Sequence, residues 1–438
     1  MQQQKYKHTI VIPTFQRANL LGNTIKSCLL QDHDNFQVLI SNNFSDDNTR
    51  EVLKEFANDP RVKVIHTDKK LSMPEHWEFV MDYVEGDYVM IIGDDDGIRP
   101  DFLKIIDQIV DGRGINLIKF KGGLYYHSDW PNEERNTFSF DSKTSGYYFQ
   151  VEPDHVIDSY CAFKGYDLFP NLLLTVFSIK LFKEAKQKTK KMFVGAPDWT
   201  CPFLLLVQDS VKLCYVDETL AYGGRSKYSN AAYYAEQKDK KAQSERIKEF
   251  VSELNSAMRF PYHILLFTTQ GNFVPAAFSY AKYFYAERLK NFELNKLELA
   301  KVIQSDIAEE FCSNRASFYN KNEFVIFKGF VDSLSDNEKK IIYSMPGHFS
   351  LKGKILLYLK FIKSKVFTFF NIKRVNTNTP WDITVNLGDL GIMNAFDLTK
   401  NFVELLKNGK SAFDESVPVP EKFADFRVLG RINSNLYL

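Results

Sequence analysis

The first 110 residues alternate between short apolar β-type runs and amphipathic helical runs. The β-type runs cover residues 8–13, 37–41, 62–65 and 88–92, and the helical runs cover residues 18–30, 49–57, 75–84 and 100–110. Alternation at this spacing predicts βαβ units and a mostly parallel sheet. Because right-handed crossovers bring the loops after such strands to one edge of the sheet, we expect a ligand to bind at that edge.

The pattern changes twice beyond residue 110. Residues 115–222 mix aromatic strands with polar loops, and we expect strands at 117–120, 124–126 and 211–216 and a helix at 199–207. Beyond residue 228, helix-forming stretches occur at 236–258, 279–292, 296–311, 337–343, 354–370 and 397–407. We therefore predict an α/β domain over residues 1–230 and a mainly α-helical domain over residues 231–438.

Composition narrows the class of protein. The chain has 56 Lys and Arg against 55 Asp and Glu, a formal charge of +1, which argues against a dedicated nucleic-acid binder. Its five cysteines include no Cys-x-x-Cys pair, which favours isolated thiols in a reducing compartment. The uncharged stretch 260–281 contains several polar residues and a proline, so a membrane-spanning helix is not expected there. These features favour a cytoplasmic protein, either soluble or peripheral at the inner face of the membrane.

An acidic triplet, Asp94-Asp95-Asp96, follows the fourth predicted strand and lies between two glycines, Gly93 and Gly97. Three adjacent carboxylates repel one another, so the arrangement costs stability unless a cation or solvent relieves it. Hard divalent ions prefer such oxygen ligands and share them with phosphates. The alternative is an ordinary acidic turn between a strand and a helix.

Three sequence blocks decide between these interpretations, because together they resemble the family 2 glycosyltransferases of the GT-A fold. The blocks are residues 11–17, 39–49 and 86–96, in the family's order and at its spacing. The resemblance covers about the first 110 residues and implies a GT-A sheet that binds a nucleoside-diphosphate sugar, with a UDP-sugar favoured.

The resemblance also implies residues for the donor. The loop after the first strand would hold the base and ribose, through Pro13, Thr14, Phe15 and Arg17. The second strand ends in Asn42, where the family usually has an Asp that reads the pyrimidine base. An Asn can both donate and accept hydrogen bonds, so it can still contact a base edge.

The acidic triplet matches the family's metal-binding motif. Asp95 would ligate Mn²⁺ or Mg²⁺, Asp96 would ligate it directly or through water, and Asp94 would face the ribose or the donor sugar. Lys70 is a candidate for the diphosphate, although two solvated loop lysines, Lys69 and Lys70, are the simpler interpretation. His76 is expected to be a packed residue near a helix start.

The general base of an inverting transfer would lie about a hundred residues further on, at a helix start. Asp198, preceded by Pro197, matches that place, and Trp199 offers an aromatic wall for a sugar. The alternative is that Asp198 only caps the helix. Asp209 is a weaker candidate for the base.

Two further segments each have two interpretations. Residues 222–229, with Arg225 behind a Gly-Gly pair, could close over the diphosphate or form a domain linker. Residues 352–374 contain seven basic and no acidic residues, which is typical of a helix in peripheral contact with a membrane. The apolar stripe of that helix, Ile355, Leu359, Ile362, Val366 and Phe369, could instead be core, and the exposure of these side chains separates the two interpretations.

Together these observations predict a metal-dependent, inverting glycosyltransferase. Its acceptor would be a saccharide or a lipid-linked hydroxyl in cell-surface polysaccharide synthesis, and a homo-oligomer is compatible with the sequence. The alternatives are a nucleotidyltransferase and a non-catalytic binding or scaffold protein of the same fold. A nucleotidyltransferase is expected to have a glycine-rich loop after the first strand, which residues 13–17 lack.

Overall fold

Strand and helix alternate over residues 6–110, as predicted. The strands are β1 (Tyr6–Thr14), β2 (Phe36–Asn42), β3 (Val62–His66) and β4 (Gly86–Ile91), and the helices are α1 (Ala18–Leu29), α2 (Thr49–Lys54), α3 (Met73–Val80) and α4 (Phe102–Val110). The computed structural model describes residues 6–131, 133–227, 229, 269–312, 321–347, 350–369, 383–409 and 418–432. Every residue of β2 is buried, which is the pattern of a strand covered by helices on both faces.

Eight further strands and nine further helices follow within the described residues. The strands are β5 (Gly97–Ile98), β6 (Leu117–Tyr126), β7 (Thr137–Phe140), β8 (Tyr147–Val151), β9 (Thr175–Ser178), β10 (Leu213–Arg225), β11 (Ile383–Asn386) and β12 (Arg427–Arg431). The helices are α5 (Pro153–Cys161), α6 (Ile179–Thr189), α7 (Pro197–Leu206), α8 (Thr269–Phe284), α9 (Lys296–Cys312), α10 (Lys321–Asp332), α11 (Asp336–Ser344), α12 (Leu351–Phe369) and α13 (Ala395–Gly409).

The α/β class is confirmed, and the sheet has a parallel part and a mixed part. Its strands follow the order β12-β8-β10-β6-β9-β4-β1-β2-β3. β4, β1, β2 and β3 are mutually parallel, and β6 is parallel to β10. β9 runs antiparallel between β4 and β6, and β8 runs antiparallel to β10. The antiparallel strands come from the part of the sequence where strand–helix alternation is weak.

The ends of the parallel strands meet at one edge. Thr14, Asn42 and His66 are register partners at the last positions of β1, β2 and β3. β4 ends at Ile91, whose partner in β1 is Val11. The acidic triplet therefore leaves β4 beside the loop that follows β1, as the right-handed crossover rule predicts.

Described segments from both sides of the predicted boundary at 230/231 share this sheet. β11 pairs with β7, β12 pairs with β8, and α13 packs on α1. The Tyr222 hydroxyl donates a hydrogen bond of 2.6 Å to the carbonyl of Ala395, at the start of α13. Helices α9 to α11 form a separate apolar core, which includes Ile303, Phe327 and Ile342. The boundary itself stays a prediction.

Two predicted helices differ from the structure. The helix predicted at 279–292 is the end of α8, which begins at Thr269, includes Pro275 and ends at Phe284. Val274, Ala277 and Phe278 of α8 are buried in the core that also contains α7, so this packing outweighs the local polar residues. The helix predicted at 236–258 lies outside the described residues.

The composition led to expectations about the cysteines and about membrane-spanning helices. Cys28, Cys161, Cys201 and Cys214 are buried free thiols, as the spacing predicts. None of the described helices has both the length and the hydropathy that crossing a bilayer requires.

Candidate functional site

The acidic triplet is buried beneath the strand-end edge. Asp94, Asp95 and Asp96 are only 4%, 5% and 6% exposed. The Thr24 hydroxyl of α1 donates hydrogen bonds to the carbonyls of Asp94 (2.9 Å) and Asp96 (3.2 Å), which fixes the backbone of the turn. Three carboxylates in so small a buried volume raise one another's pKa unless cations or hydrogen bonds compensate.

Asp94 is held by two residues of the loop that follows β1. Thr14 donates to its Oδ2 at 2.6 Å, and Arg17 donates to its Oδ1 at 2.8 Å. The same Arg17 nitrogen lies 3.3 Å from Asp95 Oδ2. Burial raises the pKa of Asp94 while Arg17 opposes the rise. For Arg17, burial disfavours the charged form, but Asp94 and Asp95 raise its pKa above the usual range.

Asp96 accepts hydrogen bonds from two backbone N–H groups. Gly93 donates to Oδ2 at 2.6 Å, and Gly224 donates to Oδ1 at 2.8 Å. Burial and then the charge of Asp95 raise the pKa of Asp96 to about 7, although both N–H groups oppose this rise. The triplet thus carries more negative charge than Arg17 alone offsets.

Asp95 is the triplet member with a carboxylate oxygen left for a ligand. Its Oδ2 accepts hydrogen bonds from Ser229 (2.6 Å) and Ser226 (3.4 Å). Its Oδ1 has no hydrogen-bond partner among the described residues. An open carboxylate oxygen in an acidic, nearly buried turn is a donor of the type that Mg²⁺ and Mn²⁺ prefer.

The end of β10 and the residues after it press against the triplet. A Cβ atom on Gly224 would lie 1.9 Å from the carbonyl oxygen of Asp95, so no larger residue fits there without displacement. His127 Nε2 donates to that same carbonyl at 3.0 Å. Gly224, Ser226 and Ser229 therefore all contact the triplet, while the closure of this segment over a diphosphate stays a prediction. The side chain of Arg225 is half-buried, and its charge acts on Tyr126.

The other predicted donor residues lie around the same edge. Pro13 and Phe15 are half-buried, and Lys70 Nζ lies 4.9 Å from the centre of the Phe15 ring. The exposed Lys70 is thus placed beside the loop after β1, and its contact with a diphosphate stays a prediction. Lys69 is also exposed.

Asn42 is fully buried, and both ends of its amide have partners in the protein. Its Oδ1 accepts from the backbone N–H of Ser45 at 3.1 Å, and its Nδ2 lies 3.3 Å from His66 Nδ1. These contacts shape the loop after β2, and contact of Asn42 with a base stays a prediction. His76 is buried, as expected, with its Nε2 2.7 Å from Ser41 Oγ, and burial lowers its pKa to about 4.

Asp198 lies in the first turn of α7, directly after Pro197. Glu78 of α3 accepts hydrogen bonds from the backbone N–H groups of Met192 (3.0 Å) and Phe193 (3.3 Å), which ties the preceding loop to the parallel part of the fold. Asp198 is partly exposed, yet the burial of its carboxyl raises its pKa to about 6. Such a carboxylate is a stronger base than an ordinary aspartate.

Trp199 and Asp209, the two other residues considered with Asp198, differ in their surroundings. Trp199 stacks on Phe169 with ring centres 5.4 Å apart and meets Tyr166 edge to face at 5.2 Å. It therefore belongs to an aromatic cluster while remaining partly exposed. Asp209 is exposed and lies beyond the other end of α7 from Asp198, so the two carboxylates cannot share one site.

The sequence pattern did not single out Thr24 or His127. Each contacts the triplet from a segment far away in the chain, and no local motif marks it. Gly224, Ser226 and Ser229 stood within the segment 222–229, which had two interpretations.

A second polar cluster lies near the start of β1, away from the strand-end edge. Asp107 accepts hydrogen bonds from His8 (2.6 Å) and His33 (3.1 Å), and Lys7 Nζ lies 3.1 Å from it. These two histidines and Asp107 have ligand atoms close enough to hold a metal ion. However, His33 Nδ1 accepts from the backbone N–H of Asn35, which leaves the ring proton on Nε2, and Lys7 adds a positive charge. The ligand atoms of this cluster are therefore already engaged in hydrogen bonds with one another.

Comparison with known proteins gives similarity over the N-terminal part. Residues 9–164 match the family model described as glycosyl transferase family 2. The glycosyltransferase GlyG of Streptococcus pneumoniae serotype 4 is 23% identical over 122 residues, which are 28% of this chain and 40% of GlyG. A Campylobacter jejuni GalNAc(5)-diNAcBac-PP-undecaprenol beta-1,3-glucosyltransferase is 28% identical over 104 residues, which are 23% of this chain and 34% of that protein.

The similarity to the crystal structure of S. aureus TarS 1–349 in complex with UDP-GlcNAc covers 86% of this chain and 98% of that fragment, with 13% sequence identity and a TM-score of 0.45. The matches to GlyG and to the Campylobacter glucosyltransferase span less than half the length of each of these relatives.

Proposed function

We propose that this chain transfers a sugar from a nucleoside-diphosphate sugar to a hydroxyl group, because residues 9–164 match the glycosyl transferase family 2 model. UDP-sugars are the first donors to test. The observation that carries the proposal is the convergence of Thr14 and Arg17 with Asp94 and Asp95 at the edge where the parallel strands end. Ligands of open α/β sheets bind at such an edge.

The acceptor we propose is a saccharide or a lipid-linked saccharide. Support comes from the Campylobacter relative, whose name describes a glucosyltransferase acting on an undecaprenol-linked glycan. The match covers 34% of that protein.

The triplet fits a divalent cation. Asp95 would hold Mn²⁺ or Mg²⁺ through its open oxygen, with Asp96 beside it, because the buried carboxylates exceed the positive charge of Arg17. When bound, the ion would offset the charge of the donor diphosphate and stabilise it as a leaving group. Lys70 and Arg225 are proposed to add positive charge at the same edge.

Asp198 is proposed as the general base. The acceptor oxygen forms a bond to the anomeric carbon while the bond from that carbon to the diphosphate oxygen breaks. The diphosphate leaves with the electron pair, and the hydroxyl proton passes to the Asp198 carboxylate. A single displacement inverts the anomeric configuration. The raised pKa of Asp198, about 6, leaves it ionised at neutral pH and basic enough to assist.

Thermal unfolding of the full chain tests the donor site. We expect UDP-glucose or UDP-GlcNAc to raise Tm when Mn²⁺ is present, and GDP-mannose to raise it less. Asp95→Asn should abolish this Mn²⁺-dependent shift. Asp87→Asn is the matched control, because it removes the same charge from an exposed position. A full shift in Asp95→Asn would show that the triplet is not the donor site.

Turnover tests the reaction class. We expect release of nucleoside diphosphate from the donor, faster with an acceptor, and expect Asp198→Asn to bind donor normally but lose transfer. Unchanged transfer in both Asp95→Asn and Asp198→Asn would exclude this active site. Release of pyrophosphate from a nucleoside triphosphate and a sugar phosphate would instead identify a nucleotidyltransferase. Donor binding without any turnover would identify a binding protein.

A further inference from the structure

The described side chains of helix α12 that are buried against the helical part of the protein lie on one face. Gly353 and Leu357, four residues apart and therefore on the same side, are buried. A Cβ atom on Gly353 would lie 2.8 Å from the carbonyl oxygen of Met345, so the first turn approaches the chain before it closely. The helix also contacts α9 and α11. Its orientation on the protein is therefore defined.

The opposite face of α12 is apolar and exposed. Its members are Leu351 (77% exposed), Ile355 (53%), Tyr358 (61%), Leu359 (55%) and Ile362 (43%). At the helical period these five side chains fall within an arc of roughly 100°. Ile355, Leu359 and Ile362 belong to the stripe whose exposure separates an interfacial helix from a core helix, and they are exposed. Val366 and Phe369 lie outside the described side chains.

Lysines border this apolar face on both sides. At the helical period Lys352 lies next to one margin of the arc and Lys354 next to the other, and both are exposed. No described carboxylate forms an ion pair with either of them. Residues 351–374 contain seven basic and no acidic residues. The face therefore combines exposed apolar area with uncompensated positive charge.

We propose that α12 binds the surface of an anionic phospholipid bilayer and lies parallel to it. The five apolar side chains enter the boundary between headgroups and acyl chains, and the lysines meet the lipid phosphates. Tyr358 suits this boundary, because its ring is apolar and its hydroxyl is polar. The helix lies on the bilayer without crossing it, since lysines occur along its whole length.

Charge complementarity favours lipid over a second copy of the chain. Two copies that paired through α12 would bring their lysines together without an acidic residue on either helix. An anionic bilayer removes this repulsion and covers the apolar area at the same time. The proposal does not depend on the sugar-transfer reaction, because α12 and the acidic triplet are separate surfaces.

Co-sedimentation of the full chain with vesicles tests the proposal. We expect binding to phosphatidylglycerol–phosphatidylcholine vesicles that weakens with salt, and little binding to phosphatidylcholine alone. The double variant Ile355→Gln, Leu359→Gln should bind these vesicles at least about tenfold more weakly, because each substitution removes an apolar side chain that the bilayer would bury. Lys352→Gln, Lys354→Gln should also bind more weakly and lose part of the salt dependence.

Two control variants keep the result specific. Lys26→Gln, Lys183→Gln removes the same charge from exposed sites away from α12, and Val325→Gln replaces an exposed apolar residue of α10. Both should bind vesicles as the natural chain does. All substituted side chains are exposed, so Tm and the donor-induced Tm shift should not change.

Equal binding to both vesicle types, or unchanged binding of the Ile355→Gln, Leu359→Gln variant, would overturn the proposal. So would an equal loss in the Lys26→Gln, Lys183→Gln control. A dimer that the α12 apolar variant dissociates, without vesicle binding by the natural chain, would assign the face to self-association instead.

Discussion

The backbone N–H of Gly224 donates a hydrogen bond of 2.8 Å to Oδ1 of Asp96, 128 residues earlier in the chain. This contact joins the end of β10 to the acidic turn after β4. The backbone N–H of Gly93 donates to the other oxygen of the same carboxylate, so Asp96 connects the end of β10 to the start of the acidic turn. The geometry of the triplet therefore depends on the end of β10 as much as on β4.

Gly224→Ala should disrupt the acidic site. The added Cβ would lie 1.9 Å from the Asp95 carbonyl oxygen and 2.9 Å from His127 Nε2, so β10 or the turn must move. We expect a stability loss of about 1–3 kcal/mol and the loss of the Mn²⁺-dependent donor shift in Tm. Gly223→Ala is the matched control, because its Cβ meets nothing nearer than Asp96 Oδ1 at 3.9 Å. Equal effects of the two substitutions would contradict this account.

Arg17→Gln should make stability more dependent on a divalent cation. The guanidinium lies 2.8 Å from Asp94 and 3.3 Å from Asp95, and its removal leaves buried carboxylates unpaired. We expect a loss of about 3–5 kcal/mol, which added Mn²⁺ partly restores. Thermal unfolding with and without Mn²⁺ measures this.

The comparison variant is Arg61→Gln, whose partner Asp59 is nearer the surface, so we expect a loss of about 1 kcal/mol or less. If Mn²⁺ raises the Tm of Arg17→Gln no more than that of the natural chain, the triplet does not take up the cation.

The rate of sugar transfer should fall as pH drops through about 6. The general base acts as a carboxylate, and the pKa of Asp198 is raised to about 6 by burial, so protonation below that pH removes the base. The profile of kcat against pH measures this limb. Asp198→Asn should lose transfer by about 10²-fold or more, with its residual rate flat across this range. An acidic limb that persists in Asp198→Asn would assign the titration to another group.

Asp107→Asn should reduce stability at neutral pH and flatten its decline in acid. Burial alone would raise the pKa of Asp107, but hydrogen bonds from His8, His33 and Lys7 hold it well below its usual range. The stabilisation is therefore present above the unfolded-state pKa of about 4 and is lost as pH falls below it. We expect a loss of about 2–3 kcal/mol at pH of about 7, measured by urea unfolding.

The control for this prediction is Asp111→Asn, an exposed carboxylate that also contacts Lys7. Its loss should stay within about 0.5 kcal/mol. Similar losses for the two variants, or an unchanged acid decline in Asp107→Asn, would show that Asp107 does not carry this effect.

The structure brings together the predicted residues whose signal in the sequence is local. Asp94, Asp95 and Asp96 could be identified because three acidic residues after an apolar strand stand out in the sequence. Thr14 and Arg17 followed from the block after the first strand, and the structure brings both to Asp94. Asn42 illustrates the limit, because its hydrogen bonds to Ser45 and His66 depend on how two loops meet.

The strand–helix alternation of residues 6–110 and the position of the acidic turn could be predicted without a structure, because apolar periodicity and strand ends are properties of neighbouring residues. Packing between distant segments places Gly224, Ser229 and His127 in hydrogen-bond contact with the triplet and adds β11 and β12 to the sheet. It also decided which face of α12 is buried. These outcomes depend on contacts between distant segments, whose register and packing no local pattern specifies.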